Sequence, residues 1–249
     1  MLLKDKIALV TGSGQGNGAA IARGLAAQGA TVISTDMDAK AAAATANALK
    51  ADGHAAASMA LDVTDEASCA AVAADIAARV GNISILVNNA GICPRHTVDD
   101  PDLRRMWNAS LDVNLTGTLN VTLAFLAQLR ATRGSIVNIA SIASFLSTTT
   151  SVGYTASKAG VRMLTLNLAQ ELAKDGIRVN AIAPGAIATP MTQATRDDPA
   201  RLERFLTRIP LGRMGDPEEL VGPAVFLASS MSSYVTGSVL VVDGGYMAV

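Results

Sequence analysis

Six short apolar runs punctuate the chain: IALV (7–10), TVIS (31–34), ISILV (83–87), SIVNI (135–139), RVNAI (178–182) and SVLVV (238–242). Each is short and rich in β-branched residues, the signature of a strand buried on both faces. The longer alanine-rich segments between them, 17–29, 40–51, 65–80, 102–131, 152–174 and 216–229, read as helices. Strands alternating with helices, with near-continuous apolar strands, predict an α/β fold: a doubly wound parallel sheet covered by helices on both faces. No internal repeat or low-complexity linker interrupts the pattern, so residues 1–249 are expected to form one domain. The least regular stretch, 186–215, is rich in turn and polar residues and is expected to form a lid over a site.

Composition narrows the function. Charged residues make up 16% of the chain, below the ~25% usual for soluble domains, and mean hydropathy is +0.33. Both suggest extra buried surface such as a subunit contact, although much of the apolar count is alanine. The net charge is −1, with no block of basic residues, which argues against nucleic-acid or anionic-membrane binding. Cys69 and Cys93 have no metal-like spacing and are too few for a disulfide framework. Two reduced thiols fit a cytoplasmic protein, and no metal is expected. The N-terminus runs into a strand pattern with no cleavage-site signature. No apolar run approaches the ~18 residues of a membrane span.

The first chemical signal is TGSGQGNG (11–18), between the first strand and the first helix. Glycines there let the backbone pass close to a pyrophosphate, whose charge suits a helix N-terminus. Asp36 ends the second strand, about 20 residues on, where a ribose hydroxyl needs an acceptor. Turn and acid together indicate dinucleotide binding.

The glycine spacing, TGxxxGxG, is the first of several motifs that occur in order. LDV (61–63), NNAG (88–91), LDVNLTG (111–117), Ser141 thirteen residues before Tyr154, YTASK (154–158) and PGAIAT (184–189) complete the set. With these motifs the chain resembles the short-chain dehydrogenase/reductase family along nearly its full length. The resemblance implies a Rossmann-like sheet and a catalytic set of Asn114, Ser141, Tyr154 and Lys158. It places Gly12, Gln15, Gly16, Asn17 and Gly18 around the cofactor's pyrophosphate. Asp36 and Met37 would lie at the adenosine ribose, and Asp62 and Val63 at the adenine. Asn89, acting through its backbone, with Ala90 and Gly91, would line the middle of the cofactor. Pro184, Gly185, Ile187 and Thr189 would lie beside the nicotinamide, with Tyr154 and Lys158. Asn17 departs from the family, which more often has isoleucine or leucine there.

The chemistry explains why a phenol and an ammonium stand one helical turn apart. Oxidising an alcohol removes a proton from oxygen and a hydride from carbon. Free tyrosine has pKa ≈ 10, and a nearby cation favours the phenolate. Lys158 is therefore expected to lower the Tyr154 pKa toward the useful range for a general base. By the resemblance, Lys158 also binds the nicotinamide ribose, Ser141 holds the substrate oxygen, and Asn114 holds a water linking Lys158 to solvent.

Structural readings stand beside these. Ser141 could cap a strand end, and Asp62 the following turn. Asn88 is expected to satisfy buried backbone groups. His54 is expected at the surface, His96 near the pocket mouth with Cys93 and Arg95, and Trp107 in the core or an interface.

The cofactor is expected to be NAD, since Asp36 would repel a 2′-phosphate and no cation follows it. Lid polarity points to a small hydroxylated substrate, a polyol or sugar. The alternative is a 3-oxoacyl thioester reductase, with Arg130, Arg133 and Lys174 contacting an acidic carrier protein. A cofactor-binding regulator without turnover is disfavoured by the complete Ser–Tyr–Lys–Asn set. A homotetramer with D2 symmetry is expected.

Overall fold

The computed structural model describes residues 1–147 and 150–248. Seven parallel strands form one sheet in the order β3-β2-β1-β4-β5-β6-β7. They are β1 (Ile7–Thr11), β2 (Thr31–Asp36), β3 (Ala56–Ala60), β4 (Ile85–Asn88), β5 (Ser135–Ile139), β6 (Arg178–Pro184) and β7 (Val239–Val242). The six predicted runs are all present. β3 was not among them. Its sequence, AASMA, is alanine-rich, and it is an edge strand that stays only partly buried. Its place comes from backbone pairing, Val32 with Ala56 through Asp36 with Ala60, rather than from side-chain pattern.

Alternation within each strand feeds two cores. Ala8, Val10, Ile85, Val87, Val137 and Ile182 face one layer with Ile21, Leu25 and Leu220. Leu9, Leu86, Ile136 and Val179 face the other with Ile76, Phe125 and Leu168. The helices that supply these layers are α1 (Gly16–Ala27), α2 (Ala39–Ala51), α3 (Glu66–Arg79), α4 (Leu103–Leu111), α5 (Gly117–Ala124), α6 (Leu126–Thr132) and α7 (Val152–Leu172). After them come α8 (Gln193–Arg196), α9 (Pro199–Leu206) and α10 (Val221–Ala228). Helix starts follow capping chemistry: Asp38, Asp65 and Ser151 each accept a backbone N–H from the first turn of α2, α3 and α7.

The segment 102–131, expected as one helix, is broken. A π-helical turn spans Asp112–Thr116 between α4 and α5, and Phe125 separates α5 from α6. The strand order reverses between β1 and β4, so the crevice beyond their carboxyl ends is where ligands bind in such sheets. The 186–215 excursion rises from that edge. Its stem is closed by backbone bonds from Ala188 to Gly215 (2.8 Å) and from Gly215 to Ala186 (2.9 Å).

Candidate active site

The glycine turn sits at the carboxyl end of β1. Gly12 and Gly16 have positive φ, 60° and 54°. A Cβ on Gly12 would lie 2.8 Å from the Ala90 Cα, so only glycine lets the turn pass the β4 loop. Asn89 holds the turn from that loop. Its Nδ2 donates to the carbonyls of Thr11 and Gly12 (2.9 Å each), and its backbone N–H donates to Thr11 Oγ1 (3.0 Å). That N–H is committed, so the backbone of Asn89 can offer a cofactor only its carbonyl. The buried Oδ1 of Asn17 has no partner among the described residues. Unsatisfied buried polar atoms call for a water or ligand, and this one lies in the first turn of α1. Thr189 stands opposite: its side chain lies 3.5 Å from where a Cβ on Gly16 would be. Pro184 and Gly185 close β6 beside it, and Ile187 is buried. A glycine-lined cleft at a helix N-terminus fits a dinucleotide.

Asp36 lies at the end of β2, as expected. Its carboxylate also organises the turn, accepting from the N–H of Gly14 (3.0 Å) and of Asp38 (3.1 Å). A carboxylate has about four lone-pair sites, so it can still take ribose hydroxyls. Met37 is 80% exposed beside it. Asp62 caps its turn, accepting from Thr64 N–H (2.9 Å) and Oγ1 (2.7 Å). Val63 is buried, packed where a Cβ on Gly117 would lie 2.6 Å from its Cγ2.

Ser141, Tyr154, Lys158 and Asn114 converge. Ser141 follows β5; its Oγ accepts from Ala143 N–H (3.1 Å) and is hydrogen-bonded to Tyr154. The capping reading and the catalytic geometry therefore coexist. Tyr154 and Lys158 are one turn apart on α7, with Lys158 Nζ 5.9 Å from the Tyr154 ring centroid. Nζ donates to the Ile139 carbonyl (2.7 Å). Asn114, in the π-helical turn, accepts from Ile92 N–H (2.8 Å) and donates to the Ile92 carbonyl (3.0 Å) and Ser157 Oγ (2.9 Å). Gly91 separates it from the lysine: a Cβ there would lie 3.1 Å from Asn114 Oδ1 and 3.5 Å from Lys158 Nζ.

The expected fall in the Tyr154 pKa is not produced by the protein's own groups. Burial pushes the phenol up to about 12; the Ser141 hydrogen bond opposes this, and the charge of Cys93 adds to the rise. Tyr154 is only half-buried overall, and water at its exposed edge moderates the penalty. Burial also draws Lys158 down to about 8, so desolvation weakens the cation meant to stabilise the phenolate.

Other expectations are resolved individually. Asn88 serves side chains rather than backbone, donating to Thr122 Oγ1 (3.1 Å) and Asn138 Oδ1 (2.9 Å). Trp107 is half-buried where α4 meets α7, its Cα 3.0 Å from where a Cβ on Gly153 would lie. His54 is half-buried rather than fully exposed. Arg130, Arg133 and Lys174 precede β5 and β6, at the edge of the sheet opposite the site, and Arg130 is paired with Asp175 at 2.8 Å. A five-residue strand spans about 16 Å, so these residues lie away from the catalytic edge. Among the described residues no group of side chains could hold a metal ion, and no helix is long and apolar enough to cross a membrane.

A family model described as enoyl-(acyl carrier protein) reductase matches residues 12–247. The chain belongs to the short-chain dehydrogenase/reductase family. It is 43% identical to a Bacillus subtilis 2-dehydro-3-deoxy-D-gluconate 5-dehydrogenase, over 98% of this chain and 96% of the relative. It is 41% identical to a 3-oxoacyl-[acyl-carrier-protein] reductase of Vibrio harveyi, over 98% of both chains. Among solved structures, a gluconate 5-dehydrogenase from Burkholderia cenocepacia in complex with NADP and tartrate superposes with a TM-score of 0.94. It is 41% identical, covering 99% of this chain and 97% of that one. As a short-chain dehydrogenase/reductase, the protein is an oxidoreductase acting on CH–OH groups.

Proposed function

We propose that the protein is an NAD(H)-dependent dehydrogenase interconverting a secondary alcohol and a ketone on a small polyol or sugar. The observation that carries this is the convergence of Ser141, Tyr154, Lys158 and Asn114 at the carboxyl edge of the sheet, beside the glycine turn. The sugar and sugar-alcohol dehydrogenases among its relatives support the substrate class, for example a Cereibacter sphaeroides galactitol 2-dehydrogenase 42% identical to it.

In this reading the nicotinamide cofactor supplies the hydride exchange and, when oxidised, a positively charged ring. Tyr154 Oη moves the proton of the reacting hydroxyl, and Ser141 Oγ holds that oxygen and stabilises its developing charge. As set by the protein's groups, the phenol stays protonated at neutral pH, the form that donates to a carbonyl oxygen. The oxidising direction therefore gains with rising pH. Lys158 Nζ orients the ribose and biases the phenol, and Asn114, fixed beside Ile92, would hold a water linking Lys158 to solvent. Gly12, Gln15, Gly16, Asn17 and Gly18 hold the pyrophosphate; Asp36 and Met37 the ribose; Asp62 and Val63 the adenine. Asn89, Ala90, Gly91, Pro184, Gly185, Ile187 and Thr189 complete the cleft, and the 186–215 excursion closes over the substrate.

The same reading takes residues 1–249 as one domain, working in the cytoplasm as a homotetramer. Exposed apolar side chains at Leu123 on α5, Met163 on α7 and Leu240 on β7 support that assembly. Reduction of 3-oxoacyl thioesters is the second reading, favoured by the Vibrio harveyi relative. The test is NADH formation with NAD over sugar alcohols, sugars and 3-hydroxyacyl thioesters. Higher kcat/KM on the thioester would overturn the first reading in favour of the second.

A further inference from the structure

Helix α9, inside the 186–215 excursion, is eight residues long, and none of its residues is fully buried. A helix that short is marginal in water by itself, so its tertiary contacts decide where it stays. One set of contacts comes from the far end of the chain. Ile142, Ile209 and Tyr246 are buried in a small apolar cluster separate from the two main cores, with Phe205, Leu206 and Ala186 packed against it. Phe205 and Leu206 end α9, Ile142 follows Ser141, and Ala186 follows Gly185. Tyr246 meets the excursion with its ring. The Phe205 ring lies 6.1 Å away, centroid to centroid. The Arg208 guanidinium stands 4.4 Å from the Tyr246 centroid, within cation–π range.

The turn that carries Tyr246 permits this close approach. Both oxygens of Asp243 fold it, Oδ1 accepting from Gly245 N–H (2.8 Å) and Oδ2 from Met247 N–H (2.9 Å). Gly244 and Gly245 have positive φ, 64° and 90°. A Cβ on Gly244 would lie 2.8 Å from Ile209 Cγ2, and one on Gly245 2.9 Å from Pro210 Cγ. The Gly244 carbonyl accepts from Leu211 N–H (3.2 Å). On its other side the turn meets the loop after β6. Gly185 N–H donates to the Val242 carbonyl (2.9 Å), and a Cβ on Gly185 would lie 2.7 Å from Asp243 Cβ. Residues 243–246 therefore stand between that loop and the return arm of the excursion, with Tyr246 packed in the cluster that holds the residue after Ser141.

We propose that Tyr246 is a positioning residue: through Phe205 and Arg208 it holds α9 at the Ser141 edge of the site, and the enzyme grips its substrate only while that contact is made. This rests on the dehydrogenase reading above, with 186–215 as the lid, and extends it to the C-terminal turn. Tyr246 acts on the reaction through α9. The ring carries the effect and the hydroxyl does not, since both contacts are made to the ring face and edge.

Limited trypsin digestion of the full-length protein, with the cuts located by mass spectrometry, reads the lid without any substrate. Cleavage of a locally opened segment tracks its opening equilibrium. Cuts after Arg201 and Arg208 should be at least tenfold faster in Tyr246→Ala than in wild type, with cuts outside 186–215 unchanged. Phe205→Ala removes the same contact from the lid side, where the site is only partly buried, and should do the same. Tyr246→Phe should match wild type. Kinetics with NAD use galactitol and 3-hydroxybutyryl-coenzyme A, so that either substrate reading is served. Each alanine variant should raise KM for the turned-over probe at least tenfold, with kcat within threefold and NADH binding by fluorescence within twofold of wild type. The double variant should lose no more kcat/KM than the larger single loss, because both residues act through one contact. Wild-type trypsin rates in both alanine variants overturn the proposal. So do faster cuts throughout the chain in both, losses that add in the double variant, or a Tyr246→Phe variant as impaired as Tyr246→Ala. Turnover of neither probe by the wild type overturns both substrate readings, and the trypsin rates then still decide whether Tyr246 holds α9.

Discussion

Lys158 is 5% exposed, and holding an ammonium there is costly. Burial draws its pKa from 10.5 down to about 8. At about 1.36 kcal/mol per pKa unit, that gap is of the order of 3 kcal/mol. The unfolded chain keeps the lysine proton up to about pH 10.5, the folded chain only to about 8. Between those values the unfolded state binds more protons, so this residue's contribution makes stability rise with pH across the window and lowest below it. Lys158→Met keeps an unbranched chain of similar length and removes the charge. It also leaves the Ile139 carbonyl without its 2.7 Å donor, a loss of about 1–3 kcal/mol. We predict a variant more stable than wild type at pH 7 by about 1 kcal/mol, or a rise in Tm of about 2–4 °C, with turnover lost. At pH 10.5 the wild-type lysine is largely neutral and only the lost hydrogen bond remains, so the variant should there be the less stable protein. The buried phenol of Tyr154 titrates in both proteins and cancels in the difference. Thermal unfolding by circular dichroism at equal protein concentration, at pH 7 and 10.5, reads both ends. A variant destabilised equally at the two pH values would refute the reasoning, because the cost would then be packing rather than charge.

Three further outcomes are expected. Tyr154→Phe should lose at least a thousandfold in kcat while binding NADH within a few-fold of wild type; near-normal turnover would remove the phenol from the proton path. NAD should exceed NADP by at least tenfold in kcat/KM, matching ~1.5–3 kcal/mol for a lost charged hydrogen bond, and Asp36→Ala with Met37→Arg should narrow the ratio. Light scattering at micromolar concentration should give a tetramer's mass, and a monomer's mass would contradict the reading of Leu123, Met163 and Leu240 as contact residues.

The strands were legible where the sheet is deepest. β1, β4, β5 and β6 lie mid-sheet between two apolar layers, and their Val, Ile and Leu runs record that burial directly. β3 left no such record: AASMA is an edge strand with little side-chain pattern, held by main-chain pairing to β2. Near the predicted helix starts at 40, 65 and 152, the structure places Asp38, Asp65 and Ser151 as caps, which is local chemistry. Relations that depend on tertiary closure were not visible. Nothing local tells that Asp36 ties down Gly14, that Asn89 clasps the glycine turn, or that Arg95 reaches Thr195 a hundred positions away. The Tyr154 pKa failed for a related reason. The spacing of Tyr154 and Lys158 is local, but burial, which outweighs it, belongs to the folded whole.

Asn114 shows how the two kinds of information combine. The motif names the residue, yet a continuous helix over 102–131 would not explain its role. The chain instead inserts a π-helical turn at Asp112–Thr116, a departure that often marks a functional position and that shifts the faces of the helices on either side of it. The turn lets one carboxamide reach two elements at once: both backbone groups of Ile92, just past β4, and the Ser157 hydroxyl on α7. Those elements carry Gly91 and the Tyr154–Lys158 pair. Fixing their separation fixes the geometry between Gly91 and the Tyr154–Lys158 pair, which local propensity could not do. The irregularity that sequence pattern smooths over is therefore the feature that holds the site together.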